Sequence, residues 1–210
     1  MRVVELAEQF ENLEKQNHAA RLAMWVFLGS ETLLFAGLFA LYATYRGMYP
    51  VEFRQALLLN DTVLGTANTF VLITSSFTVA MAVHYVRENR SILAALLLGL
   101  STAFGATFLV LKAVEYGEHI RHHALPAGMY TMAESPPAGV VMGQTLYWFM
   151  TALHALHVIV GMGLLSIAAI GCARRHYGRD RYIIVENAGL YWHLVDIIWI
   201  FLWPLFYLAK

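Results

Sequence analysis

The 210-residue chain is 59% hydrophobic and 13% charged, with a formal net charge of zero. Soluble domains carry about 25% charged residues, so half that density, gathered between long apolar runs, excludes a soluble domain and means a membrane protein. Balanced charge gives no reason to expect a nucleic acid partner, and a single cysteine, Cys172, excludes an internal disulfide and a thiolate metal site.

The first stretch is polar and acidic, with Glu5, Glu8, Glu11 and Glu14. It lacks the basic start and apolar centre of a secretory signal. Val3, Leu6, Phe10 and Leu13 recur at helical spacing, which predicts residues 1–21 as a short amphipathic segment lying on the membrane surface or on a partner.

A helix needs roughly 20 apolar residues to cross a bilayer. Five runs meet that test: Leu22–Tyr45, Val63–Val86, Ile92–Val114, Val140–Ala173 and Ile183–Leu208. The fold class predicted is therefore all-α, a polytopic bundle of five transmembrane helices filling residues 22–210. Arg46–Thr62 reads as a loop. Arg87–Ser91 is a tight charged turn, which makes the second and third helices antiparallel neighbours. Tyr116–Gly139, with Pro126, Pro136, Pro137 and several histidines, is the longest loop, and His119, His122 and His123 read as solvated residues within it.

Basic residues set the orientation. An inner N-terminus gathers Arg2, Lys15, Arg21, Arg87, Arg90, Arg174, Arg175, Arg179 and Arg181 on one side, against Arg46, Arg54, Arg121, Lys210 and the borderline Lys112 on the other. The N-terminus is predicted to be cytoplasmic and the C-terminus outside.

Ionisable groups inside a bilayer are costly and need a partner or a role. Glu31 lies roughly 14 Å into the first run at helical rise. Antiparallel threading puts it level with His157 in the fourth run and Asp196 in the fifth, so the three are able to form one buried polar cluster. Glu31 is either a packing lock or a group tied to proton movement or a cleft. Asp196, a turn after His193, is either structurally paired or part of a relay. Lys112 and Glu115 are spaced to pair. His154 and His157, at i and i+3, read first as hydrogen-bonded packing histidines; a metal site completed by His193, Glu31 and Glu115 is the alternative, against which the chain lacks two Glu-x-x-His motifs and two separated histidine pairs. No phosphate loop, nucleophile elbow, zinc pair or dinucleotide fingerprint is present. These residues alone fit a transporter, a haem protein or a structural subunit.

The last run contains Tyr191-Trp192-His193-Leu194-Val195-Asp196-Ile197-Ile198-Trp199. This closely resembles the Tyr-Trp-His-Phe-Val-Asp-x-x-Trp signature of subunit III of haem–copper oxidases. Phe27-Leu28-Gly29-Ser30-Glu31 with Phe35-Ala36-Gly37, Asn68-Thr69 through Ser75-Ser76 to His84, Glu115-Tyr116, and Thr151 with His154 and His157 resemble further motifs of that family in order. Ala152 and Ala155 stand where the family pattern has glycine.

The resemblance implies a five-span bacterial-type subunit of an oxygen-reducing, proton-translocating oxidase of the cytochrome c or quinol type. Such a chain has no active site and no cofactor of its own, the haem and copper being held by partner subunits. It implies catalytic subunit I, other oxidase subunits and membrane lipids as partners, with phospholipid bound in a cleft, in a cell inner membrane. Glu31, His154, His157, His193, Asp196 and Glu115 match the family's recurrent polar positions around that cleft, and Tyr191, Trp192 and Trp199 its signature. The same fold serves the accessory subunit related to nitric oxide reductase, which is the nearest alternative. A free-standing transporter and a quinol-oxidising haem protein are rivals from other classes.

Overall fold

The computed structural model describes residues 10–58, 60–121, 136–179 and 181–209. They form helices α1 (Leu13–Met48), α2 (Pro50–Leu57), α3 (Thr62–Arg87), α4 (Ser91–Arg121), α5 (Ala138–Ala173) and α6 (Ile183–Trp203), with no strand among the described residues. Five of the six helices are long and apolar enough to cross a membrane, and α2 is the exception.

Local chemistry sets the helix ends. The Asn12 side chain accepts from the Lys15 backbone N–H at 2.8 Å and starts α1. Asp61 does the same for Val63 and Leu64 at the head of α3, satisfying N–H groups that have no partner within the helix. Asn89 takes φ 63° to reverse the chain between α3 and α4, and Arg175 takes φ 55° after α5. Beyond α6 the backbone widens at Pro204–Leu208, where the Ala209 N–H reaches back to the Pro204 carbonyl at 3.0 Å. Proline has no N–H for the preceding turn, so the coil loosens there.

Three expectations change. The predicted first span lies within a longer helix, because no proline or glycine breaks the chain between Leu13 and Leu22. Residues 1–9, which carry the rest of the predicted amphipathic segment, lie outside the described residues. The segment Arg46–Thr62 is not wholly loop: Pro50 sits at the first turn of α2, where its fixed φ suits a helix start. Helix α4 runs on to Arg121, so His119 is helical and only 1% exposed, while His122 and His123 lie outside the described residues.

Helices α3 to α6 make the tight core, and α1 lies against α5 and α6 along one seam marked by Leu28, Phe35 and Tyr42. Large apolar side chains such as Leu33, Phe70, Phe77, Leu96 and Ile167 point outward. Inside the bundle, small and polar residues such as Ala94, Ser75 and Ser101 make room for large buried rings such as Trp192 and Trp199, close packing being what holds helices together where lipid removes any hydrophobic gain between them. Trp192 of α6 shows the pattern best. Its indole fits between Gly105 of α4 and Gly161 of α5, each so close that an added Cβ would lie 2.8 Å from the ring. Its N–H donates to the Ser75 hydroxyl of α3 at 2.9 Å. One side chain thereby joins four helices.

Candidate functional site

Glu31 projects from α1 and meets His157 of α5, with Oε2 2.9 Å from Nε2. Antiparallel threading at equal depth predicts that pairing. The other ring nitrogen of His157 is 2.8 Å from the Leu153 carbonyl. A carbonyl only accepts, so Nδ1 carries a proton, and the short Nε2–Oε2 contact then requires one more proton shared between imidazole and carboxyl. The Phe35 ring stands edge-on to His157 at 5.3 Å, and the Tyr191 hydroxyl donates to the His157 carbonyl at 3.3 Å. The two side chains are 18% and 12% exposed. The pair is thus half-sheltered under α1, rather than sealed in the core.

Asp196 is not part of that pair. A residue three positions after His193 shares its face of α6, and that face looks toward α3. Ser76 of α3 bonds His193 Nδ1 at 2.6 Å and stands beside the Asp196 carboxyl. Asp196 is 3% exposed, and neither carboxyl oxygen closes a hydrogen bond among the described residues. Glu31 with His157, and Asp196 beside Ser76 and His193, are therefore two sites rather than one cluster.

His154 is also separated from His157. Three residues of helix turn it about 60° away, into the core between Phe108 and Trp199, with ring centroids at 5.6 and 5.2 Å. It is fully buried, and neither nitrogen is bonded among the described residues. No three histidine, cysteine, aspartate or glutamate side chains converge as a metal ligand set among the described residues. The set raised from His154, His157, His193, Glu31 and Glu115 is dispersed over four places: Glu31 with His157, His193 with Ser76, His154 between Phe108 and Trp199, and Glu115 with Lys112.

Glu115 belongs to a third site near the end of α4. Lys112 Nζ lies 3.0 Å from Glu115 Oε2, and both side chains are nearly fully buried. Tyr147 of α5 donates to Glu115 at 2.9 Å, and Tyr207 donates at 2.7 Å. The Lys112 ammonium also donates to the Tyr207 and Tyr147 hydroxyls at 2.8 and 3.2 Å. It stands 5.4 Å from the Trp199 ring centroid, within cation–π range. His119 extends the network, with Nδ1 on the Glu115 carbonyl and Nε2 on Asn60, whose amide donates to the Phe206 carbonyl. The solvated loop histidine expected at position 119 is thus a buried member of this network. Lys112–Glu115 pairing was legible from their spacing. The tyrosines were not, although a lysine in an apolar run demands several acceptors.

A fourth cluster clamps the opposite end. Glu186 of α6 accepts from Arg21 of α1 at 2.9 Å and from Arg87 of α3 at 2.8 Å, and Arg21 also donates to Tyr182. No sequence spacing links these residues.

A bundle of five apolar spans whose ionisable side chains are held mainly by partners within the bundle defines a polytopic integral membrane protein. The family model described as cytochrome c oxidase subunit III matches residues 11–209. The chain belongs to that family. It is 35% identical over 197 residues to a cytochrome c oxidase subunit 3 of Thermostichus vulcanus, covering 89% of this chain and 86% of that protein. It is 30% identical to the subunit 3 of Bacillus subtilis (strain 168), covering 89% and 84%. A heme-copper oxidase subunit I+III of Aeropyrum pernix is 34% identical over 198 residues, covering 90% of this chain and 22% of that longer protein.

Proposed function

We propose that this chain is the non-catalytic subunit III of a haem–copper terminal oxidase, seated beside the subunit I that holds the haems and copper. The complex reduces oxygen to water and couples this to proton translocation. This chain keeps the catalytic subunit intact during turnover and shapes the lipid-lined surroundings of proton uptake. The family match supports the first part, and a relative whose name joins subunits I and III supports the partnership.

The observation that carries the finer reading is the Glu31–His157 contact at 2.9 Å. It is a proton-sharing pair beneath a peripheral helix, partly open to what lies outside the bundle. We place residues 22–210 as the membrane domain, in a bacterial-type inner membrane with the N-terminus cytoplasmic. The Arg21, Arg87 and Glu186 clamp then lies at the cytoplasmic surface, in keeping with the excess of basic residues there.

The test is an oxidase prepared with and without this chain. The remaining complex should keep its haem spectrum and initial oxygen consumption, then lose activity faster on sustained turnover. Loss of the haems on removal of the chain, or equal endurance of the two preparations, would reject the proposal.

A further inference from the structure

At the outer end of the bundle, α1, α2 and the segment after α6 enclose a groove of about 580 Å³ lined by Tyr42, Ala43, Arg46, Pro50, Arg54 and Leu205 among others. The two arginines differ in their constraints. Arg46 is held in place: one Nη donates to the Tyr42 hydroxyl at 2.9 Å and the other to the Ala209 carbonyl at 2.8 Å. Tyr42 is fixed in turn by donating to the Leu205 carbonyl at 2.7 Å. These bonds use two of the five N–H donors of the Arg46 guanidinium and leave the rest available. Arg54 is exposed on α2, with no hydrogen-bond or ion-pair partner among the described residues. No acid among the described residues lines the groove. The acid of α2, Glu52, sits where α2 meets Gly139 of α5 instead, its Cβ 2.7 Å from where a Cβ on that glycine would fall.

Depth selects the ligand. Arg46 lies about 36 Å along α1 from Leu22 at 1.5 Å per residue, beyond a hydrocarbon core about 30 Å thick. Arg46 and Arg54 therefore stand at headgroup level, with the apolar surfaces of Ala43 and Leu205 beside and below them. A pair of guanidinium groups with no carboxylate counter-ion among the described residues, over an apolar wall, fits a phosphate ester joined to acyl chains. Guanidinium groups bind phosphate oxygens through paired N–H donors.

We propose that this groove binds the headgroup of an anionic phospholipid of the outer leaflet, with the phosphate between Arg46 and Arg54. The site is separate from the Glu31 region and does not depend on the role proposed for it. Arg54 is the residue to change, because Arg46 also holds the end of the chain.

The experiment counts phospholipids retained by the intact oxidase in mild detergent, by native mass spectrometry, for the wild type and Arg54→Gln. Phosphatidylglycerol, phosphatidylcholine and inorganic phosphate are added in separate arms. A charge-assisted contact at such a site changes affinity by about tenfold. The wild type should retain phosphatidylglycerol about tenfold more tightly than Arg54→Gln, prefer it to phosphatidylcholine, and keep it in the presence of inorganic phosphate. Equal retention by both proteins, or equal binding of phosphatidylcholine, would overturn the proposal. Displacement by inorganic phosphate would also overturn it, by making this a site for a soluble anion.

Discussion

Glu31 of α1 and His157 of α5 are joined by a contact of 2.9 Å that ties the peripheral helix to the core. Hydrogen bonds between transmembrane helices contribute about 0.6–2 kcal/mol. Glu31→Ala should therefore loosen α1 without dismantling the bundle. The expected result is a lower thermal midpoint for the purified oxidase at unchanged haem absorbance per complex. A drop in haem content would show that Glu31 supports the cofactors instead.

Lys112→Met leaves the Glu115 carboxyl buried among the tyrosines with its cation removed. Breaking one side of a buried pair costs about 3–5 kcal/mol, whereas replacing both partners with apolar residues of similar volume is often near neutral. The double change Lys112→Met with Glu115→Leu should thus be less damaging than Lys112→Met alone. Unfolding of Lys112→Met, Glu115→Leu, the double variant and the wild type in one detergent measures the coupling. Simple additivity would mean that the network contributes no such pairing.

The contact of Trp192 with Gly161 is a direct test of packing. An added methyl at Gly161 would lie 2.8 Å from the indole, whereas the space around Gly99 is open for 4 Å. Gly161→Ala should destabilise by about 1–3 kcal/mol through overpacking, and Gly99→Ala should be neutral or slightly stabilising. Similar melting of the two variants would contradict the placement of Trp192.

Much of this architecture is legible in the residues, and the exceptions have physical reasons. Span positions follow from apolar runs because lipid tolerates little else. The Glu31–His157 pair follows from depth, since antiparallel helices of known start place equal depths side by side. Depth says nothing about which face of a helix a residue takes. Asp196 and Glu31 therefore look like partners on paper, although Glu31 pairs with His157 of α5 and Asp196 stands beside Ser76 of α3. Lys112 lies 35 residues from Tyr147 and 95 from Tyr207, separations that only the packed bundle resolves. Helix α2 was hidden because Pro50 reads equally as a loop residue and as a helix start.

Cys172 is fully buried at the end of α5. A membrane-permeant maleimide should leave it unmodified in the folded oxidase and label it after denaturation. Rapid labelling under native conditions would place that end of α5 in contact with solvent.

The central claim is that this chain is a membrane-embedded supporting subunit, with the redox chemistry carried by a neighbouring polypeptide. Purification through an affinity tag on this chain in mild detergent tests it directly, with metal and haem assigned to each separated subunit. The account predicts co-isolation with a haem- and copper-bearing catalytic subunit, and neither iron nor copper on the tagged chain. Recovery of the chain alone as a stable monomer, or with haem bound to its own side chains, would contradict it.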